Sequence, residues 1–313
     1  MTREILFSLK APYREPLEIT GFRFGKGEKS CCIVGALRGN EIQQQYVCAQ
    51  LVKALHTLES KGLIVQDNEI LLIPSAGAGY AMNTGSRFWP ANYDDINREF
   101  PGYEKGETIQ RLADGIFRQV RDYAYGVQLA SSYLPGDFLP HVRMMETGYQ
   151  STSLANLFGL PYVVIRPPRP FDTATLNYNW QLWHTNAFSL YTPAADAIDE
   201  RGAKQAADAV LRFLNRIGLI RYRCHNGYIA SVIREDELFS VLSSTGGIYR
   251  PLRAPGEEVA RGMNIAEISD PFTGETVARI TAPVDGVIFF AYHQPLVMEH
   301  TVVFKIIKQV HGS

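Results

Sequence analysis

The stretch SCCIVGALRGNEIQQQYVCAQLVKALHTLESKGLIVQDNEILLIPSA, from Ser30 to Ala76, decides the fold class. Ser30 to Leu37 is a short, apolar, glycine-containing run of the kind that forms a buried parallel strand, and Arg38-Gly39-Asn40 turns the chain. From Glu41 to Ser60, the residues Val47, Cys48, Leu51, Val52, Leu55 and Leu58 fall largely on one side of a helical period. That pattern predicts an amphipathic helix ended by Lys61-Gly62. Glu69 to Ala76 is a second apolar run, closed by Pro74. Strand, helix, strand is a βαβ unit.

The alternation continues outward from this unit, from Leu17 to about Arg166. Thr108 to Tyr123 carries apolar residues at 109, 112, 113, 116, 117 and 120 and reads as a helix, and Gly126 to Ala130 and Pro161 to Ile165 read as strands. Between Arg166 and Pro193 lies an aromatic, Pro-rich passage too irregular for one element. It is read as a loop, open to a role as a pocket wall or lid or to plain packing. Ala194 to Ile217 returns to helix and stops at Gly218. After about Arg221 the helical patterns give way to short β-type runs separated by turn signals. The expected organisation is therefore an α/β domain over 1–221, a mixed twisted sheet flanked by helices, then a small all-β module over 222–313.

The chain has 313 residues, enough for one large domain or a large and a small one, with 31 Lys+Arg against 32 Asp+Glu and a formal charge of −1. No basic footprint for nucleic acid follows from that balance. The four cysteines, at 31, 32, 48 and 224, form neither a C-x-x-C pair nor an evenly spaced framework, so they read as reduced thiols in a cytoplasmic protein. No stretch reads as a signal peptide or a spanning helix, and no membrane partner is expected.

Three segments occur in a recognisable order: GALRGNE (Gly35 to Glu41), DINREFPG (Asp95 to Gly102) and VQLASSYLPGDFLPHVR (Val127 to Arg143). This order resembles the succinylglutamate desuccinylase/aspartoacylase family, relatives of the zinc carboxypeptidases, whose motifs run G-x-H-G-[DN]-E, D-L-N-R-x-F-P-G and D-L-H-[ST]. The C-terminal runs APGEEVARGMNIAEISD and APVDGVIFF, within 254–290, are similar to the lipoyl/biotinyl-like β-module that many members carry. The turn PVDGV has no Lys at its tip to be acylated, which favours a docking or oligomerisation surface, and a homo-oligomer is expected.

The resemblance implies a zinc-dependent amide hydrolase acting on N-acyl amino acids, with zinc held by His, Glu and His beside an open position for water. Carried over residue by residue, the first His falls on Arg38, the Glu on Glu41 and the second His on Ala130, so Glu41 is the one retained ligand position. The acidic residue before the second ligand is Gln128, and the late catalytic Glu falls on Tyr191 or Thr192. Guanidinium is cationic and has no lone pair to give a metal. Arg38 is therefore expected to reach Glu41 and to supply charge in place of zinc, and no cofactor is expected.

In the family the Asn-Arg pair of the second motif, here Asn97-Arg98, binds the substrate carboxylate. Arg87 corresponds to a further family arginine, and Arg143 is an additional candidate. With Arg38 and Glu41 these make up the expected substrate-binding set, a cationic pocket for an anionic small molecule of the N-acyl amino acid type. A competing reading makes DINREF a buried turn in which Asp95 and Arg98 pair with each other. Three functional readings stay open: a purely structural subunit, a carboxylate-binding or partner-supporting protein without zinc hydrolysis, and an active amidohydrolase. The amidohydrolase uses a relocated metal near His141 or His184, or metal-free chemistry with Ser131, Ser132 or a Cys as nucleophile.

Overall fold

The computed structural model describes residues 1–10, 15–76, 88, 94–132, 134–192 and 197–309. The chain divides into two compact units, Met1–Ser131 with Pro140–Val232, and Ser132–Leu139 with Ile233–Ser313. Tyr222, where the texture of the sequence changes, lies within the first unit.

The first unit is mixed α/β. Its elements in chain order begin with β1 (Thr2–Leu9), β2 (Leu17–Gly25), β3 (Gly27–Ala36), α1 (Ile42–Ser60), β4 (Asp67–Ser75), α2 (Thr108–Val120) and β5 (Tyr125–Ala130). After β6 (Gly136–Phe138), which belongs to the second unit, come β7 (His141–Met145), α3 (Thr152–Asn156) and β8 (Tyr162–Arg166). Then follow α4 (Leu176–Leu182), β9 (Asn186–Tyr191), α5 (Glu200–Arg216) and β10 (Ser231–Arg234), within which the division at Val232 falls. The strands form one nine-stranded sheet in the order β1-β2-β4-β3-β5-β9-β7-β8-β10. At its centre β4, β3, β5 and β9 run parallel, and β7 is antiparallel to β9.

Period-two alternation in the central strands separates two cores. Cys31 and Ile33 of β3, Val127 and Leu129 of β5, Phe188 and Leu190 of β9 and Val142 and Met144 of β7 face α1 and α5. Cys32 and Val34 and Ala187 face α2 and α4, whose Ile109, Leu112, Ile116, Leu176 and Trp180 complete the opposite layer. The apolar periodicity of α2 is thus spent on burial, with all six of its expected apolar positions buried. Burying these layers supplies most of the drive for folding, about 25 cal/mol for each Å² of apolar surface removed from water. Burial pushes the thiols of Cys31, Cys32 and Cys48 well above the ordinary thiol range, so they behave as small apolar groups.

The aromatic passage from Arg166 to Pro193 is not a loop. It holds α4, capped by Thr175, and β9, a central strand of the sheet. Trp180 is fully buried over Gly126, where any side chain would meet the indole at 2.8 Å. The expected helix over 194–217 begins at Glu200, and residues 193–196 lie outside the described part.

The second unit is β-rich. It contains β11 (Leu238–Leu242), β12 (Gly247–Pro251), β13 (Glu258–Val259), β14 (Asn264–Ser269), β15 (Thr276–Thr281), β16 (Gly286–Tyr292), β17 (Leu296–Val297) and β18 (Val302–Lys308). One sheet runs β11-β18-β16-β13 with β6 paired to β16, and the other runs β15-β14-β12-β17. Among the described residues no helix is long and apolar enough to cross a membrane.

Candidate functional site

From β3 the chain passes through α1 to β4 on one side, while β5 lies on the other. The order of strands therefore reverses at β3, and the crevice beyond the carboxyl ends of strands at such a reversal is where open α/β sheets bind ligands. Residues 37–41 occupy that place.

Glu41 stands at the N-cap of α1, yet its carboxylate turns back instead of capping the helix. Its Oε2 accepts from the backbone N–H of Leu37 at 2.8 Å and of Arg38 at 3.0 Å. Its Oε1 accepts from Arg38 Nη1 at 2.9 Å and from the Ser131 hydroxyl. The other edge of the Arg38 guanidinium clasps Asp95, with Nε 3.0 Å from Oδ1 and Nη2 2.9 Å from Oδ2. Arg38 is 3% exposed, Glu41 1% and Asp95 6%.

These residues do not fit a zinc ion. A carboxylate has about four lone-pair directions, and on Glu41 four donors occupy them. Arg38 offers no lone pair, and Ala130 at the end of β5 presents only a methyl group. Among the described residues, no group of three or more His, Cys, Asp or Glu stands together to hold a metal. His141 is fully buried and stacked on Tyr191, with ring centroids 4.8 Å apart. His184 meets Tyr149 edge-on. Ser131 is bonded to the Glu41 carboxylate and has no imidazole beside it in the cluster.

Asp95 also receives the Asn97 N–H at 3.0 Å and so caps the short 3-10 turn of Ile96–Arg98. The expected alternative of an Asp95–Arg98 pair is not what forms. Asp95 pairs with Arg38, and Arg98 turns away: its Nη1 donates to Phe171 O at 2.6 Å, lies 3.5 Å from Asp172, and its guanidinium covers the Phe171 ring. Asn97 Oδ1 accepts from Leu176 N–H at 3.1 Å, which fastens this turn to the start of α4. Asp172 is gripped by both terminal nitrogens of Arg166, at 2.6 and 2.7 Å. Burial alone would raise its carboxyl, but hydrogen bonds from Arg166 and the Arg169 N–H, with the charges of Arg166 and Arg98, hold it below the ordinary range.

Three of the four candidate arginines lie among the described residues, each with partners of its own. Arg38 is neutralised within its own cluster, Arg98 faces Asp172, and Arg87 lies outside the described residues. Arg143 forms no ion pair with the described residues: it lies over the Tyr191 ring at 4.3 Å, its Nη1 is 3.4 Å from the Tyr191 hydroxyl, and its Nε has no partner. Tyr191 is the register partner of Ala130 across β5 and β9, and Thr192 accepts from Gln44 Nε2 at 3.2 Å. Asp95 and Ser131 are the site members that sequence reasoning did not assign to Arg38. The signal for Asp95 was its place at the head of DINREFPG, one buried acid ahead of the turn.

No family model matches the chain, and no curated protein matches it in sequence. Solved structures do match it, over nearly its whole length. A succinylglutamate desuccinylase/aspartoacylase from Rhodobacter sphaeroides superposes with a TM-score of 0.79 at 17% identity, covering 99% of this chain and 96% of that one. The fold is that of the succinylglutamate desuccinylase/aspartoacylase structures. An aspartoacylase family protein from Mesorhizobium loti matches at TM-score 0.74 and 20% identity, over 93% of this chain and 89% of its own. The product-bound ectoine utilization protein EutE (DoeB) from Ruegeria pomeroyi matches at 0.77 and 17%, over the same shares of the two chains. At these identities the likeness establishes the desuccinylase/aspartoacylase fold, and the chemistry has to be argued from the residues.

Proposed function

We propose that this chain is a desuccinylase/aspartoacylase-fold protein that has given up zinc hydrolysis and binds a carboxylate-bearing small molecule. The observation that carries the reading is the Arg38 guanidinium closed on Glu41 and Asp95 at the place where the resembling family puts a metal-binding imidazole. A buried carboxylate needs a cation, and here an arginine provides it. Arg143, a guanidinium without an ion pair among the described residues, supports an anionic ligand, as does the retained Asn97-Arg98 sequence with Arg98 a quarter exposed. On this reading the β-rich C-terminal unit, lipoyl-like with no acylatable Lys in its PVDGV turn, serves docking or self-association of a cytoplasmic homo-oligomer.

Elemental analysis of the purified protein, assays on N-acetyl- and N-succinyl-amino acids with and without added zinc, and thermal melts with simple carboxylates test this. The expected result is substoichiometric zinc, no turnover, and a melting temperature that rises saturably with a carboxylate, because a ligand bound only by the folded state stabilises it. About one zinc per chain with chelator-sensitive turnover overturns the reading in favour of an amidohydrolase. Melting temperatures that ignore every carboxylate overturn it in favour of a purely structural subunit.

A further inference from the structure

One cross-strand row of the sheet carries polar side chains that are sparsely bonded among the described residues. Gln128 on β5 is the register partner of Ser189 on β9, and Ser189 is the register partner of Arg143 on β7. The three side chains therefore share a face, the one that also carries Gly126, Ala187 and the α4 layer. Gln128 is 3% exposed and Ser189 8%, and neither side chain has a hydrogen bond to any described residue. Arg143 Nε is buried and unpartnered.

A fourth member comes from the helix above. α4 packs on β9 and β5, and its Gln181 donates to Met145 O and accepts from Thr147 at the end of β7. Asn177 lies one turn earlier on the same helix face. It is 2% exposed, and both its Nδ2 and its Oδ1 lack a partner among the described residues. A buried polar atom without a partner is costly and rare, so the Nε of Arg143 and both amide atoms of Asn177, with the unbonded side chains of Gln128 and Ser189 on the same face, mark a place built for something else.

We infer that Arg143, Ser189, Gln128 and Asn177 form a binding site for a small molecule carrying one carboxylate and one primary carboxamide. This rests on the reading above that the protein binds a carboxylate, and it names the ligand's second group. Arg143 supplies a fork that matches a carboxylate, and Ser189 beside it supplies a hydroxyl. Asn177 offers a donor and an acceptor on one planar group. A primary carboxamide answers both at once, because its N–H and C=O lie on the same edge. A secondary trans amide, as in an N-acyl amino acid, has them on opposite edges and answers only one.

The test is calorimetric titration of the full chain with succinamate, compared with succinate, succinamide and N-acetylglycine, for the parent and for Arg143→Gln, Asn177→Leu and Ser189→Ala. Melting temperatures are taken without ligand. Succinamate is expected to bind at least about tenfold more tightly than the three comparators, the size of one charge-assisted or paired hydrogen bond. Arg143→Gln and Asn177→Leu each weaken it by about tenfold or more, and Ser189→Ala by a few-fold. Asn177→Leu leaves the ligand-free melting temperature unchanged or higher, since no hydrogen bond within the protein is lost. Succinamate binding no tighter than N-acetylglycine, or affinities indifferent to all three substitutions, overturns the site even where other carboxylates bind. A ligand-free Asn177→Leu protein that melts well below the parent overturns it as well.

Discussion

The Arg38 cluster and the Arg143 row lie in the same α/β unit, and they are opposites in their hydrogen bonding. In the first, every lone pair of Glu41 is taken and both edges of Arg38 are used, so the charges are locked against one another. In the second, the side chains of Gln128, Ser189 and Asn177 meet no partner among the described residues, and Arg143 has only Tyr191. A satisfied polar network rigidifies the fold, and an unsatisfied one weakens it unless a ligand completes it. On the function and the site proposed above, the difference separates a structural replacement for a metal from a place where a ligand binds.

The sharpest way to break this contrast is Arg38→Met. It strips Glu41 and Asp95 of the buried guanidinium from which both accept and should cost about 3–5 kcal/mol in urea denaturation. A loss under about 1 kcal/mol would mean that the cluster is wetter and looser than a lock. Asp172→Asn removes the carboxylate from Arg166 and should cost about 2–3 kcal/mol at neutral pH. Its sign with pH is fixed by the lowered carboxyl, whose ordinary value is 3.8. The contribution is complete above that value and fades as the pH falls through the lower folded-state value. The gap between parent and variant in acid denaturation should therefore close below about pH 4, and a gap that widens there would contradict the assignment.

Two smaller changes set the clusters directly against each other. Ser131→Ala deletes a donor to a buried carboxylate and should destabilise by about 1–2 kcal/mol in the same denaturation assay. Asn177→Leu replaces a buried polar group that has no protein partner and should stabilise the ligand-free chain by up to about 1 kcal/mol. Equal signs for the two would erase the distinction.

Much of this was legible from residue order. The βαβ unit of Ser30 to Ala76 and the helix at Thr108 declare themselves because each buries one periodic apolar face. Glu41 and its arginine were marked by GALRGNE. The passage holding α4 and β9 was opaque because the helix is only seven residues long and three of its residues, Asn177, Asn179 and Gln181, are buried amides instead of an apolar stripe. Its usable signal was the cap at Thr175 ahead of Trp180, followed by the run from Asn186 to Tyr191. Gln128 and Ser189 could be seen interrupting apolar strands, but only the register shows that they stand side by side with Arg143. Asp95's choice of Arg38 over Arg98 was equally hidden, since it depends on a contact 57 residues away in sequence.

The detour between Ser131 and Pro140 has a consequence for how the protein is made. Residues 132–139 belong with the β-rich unit, and β6 within them pairs with β16, where Phe138 packs against Phe289 and Phe290. A ribosome synthesising this chain therefore delivers β6 long before its partner strand exists. Through nearly half of translation β6 waits without its pairing strand, a natural client for a chaperone. Stopping synthesis after Val232 would leave β6 without its pairing strand permanently, so the α/β unit cannot be cut from this gene at a single point.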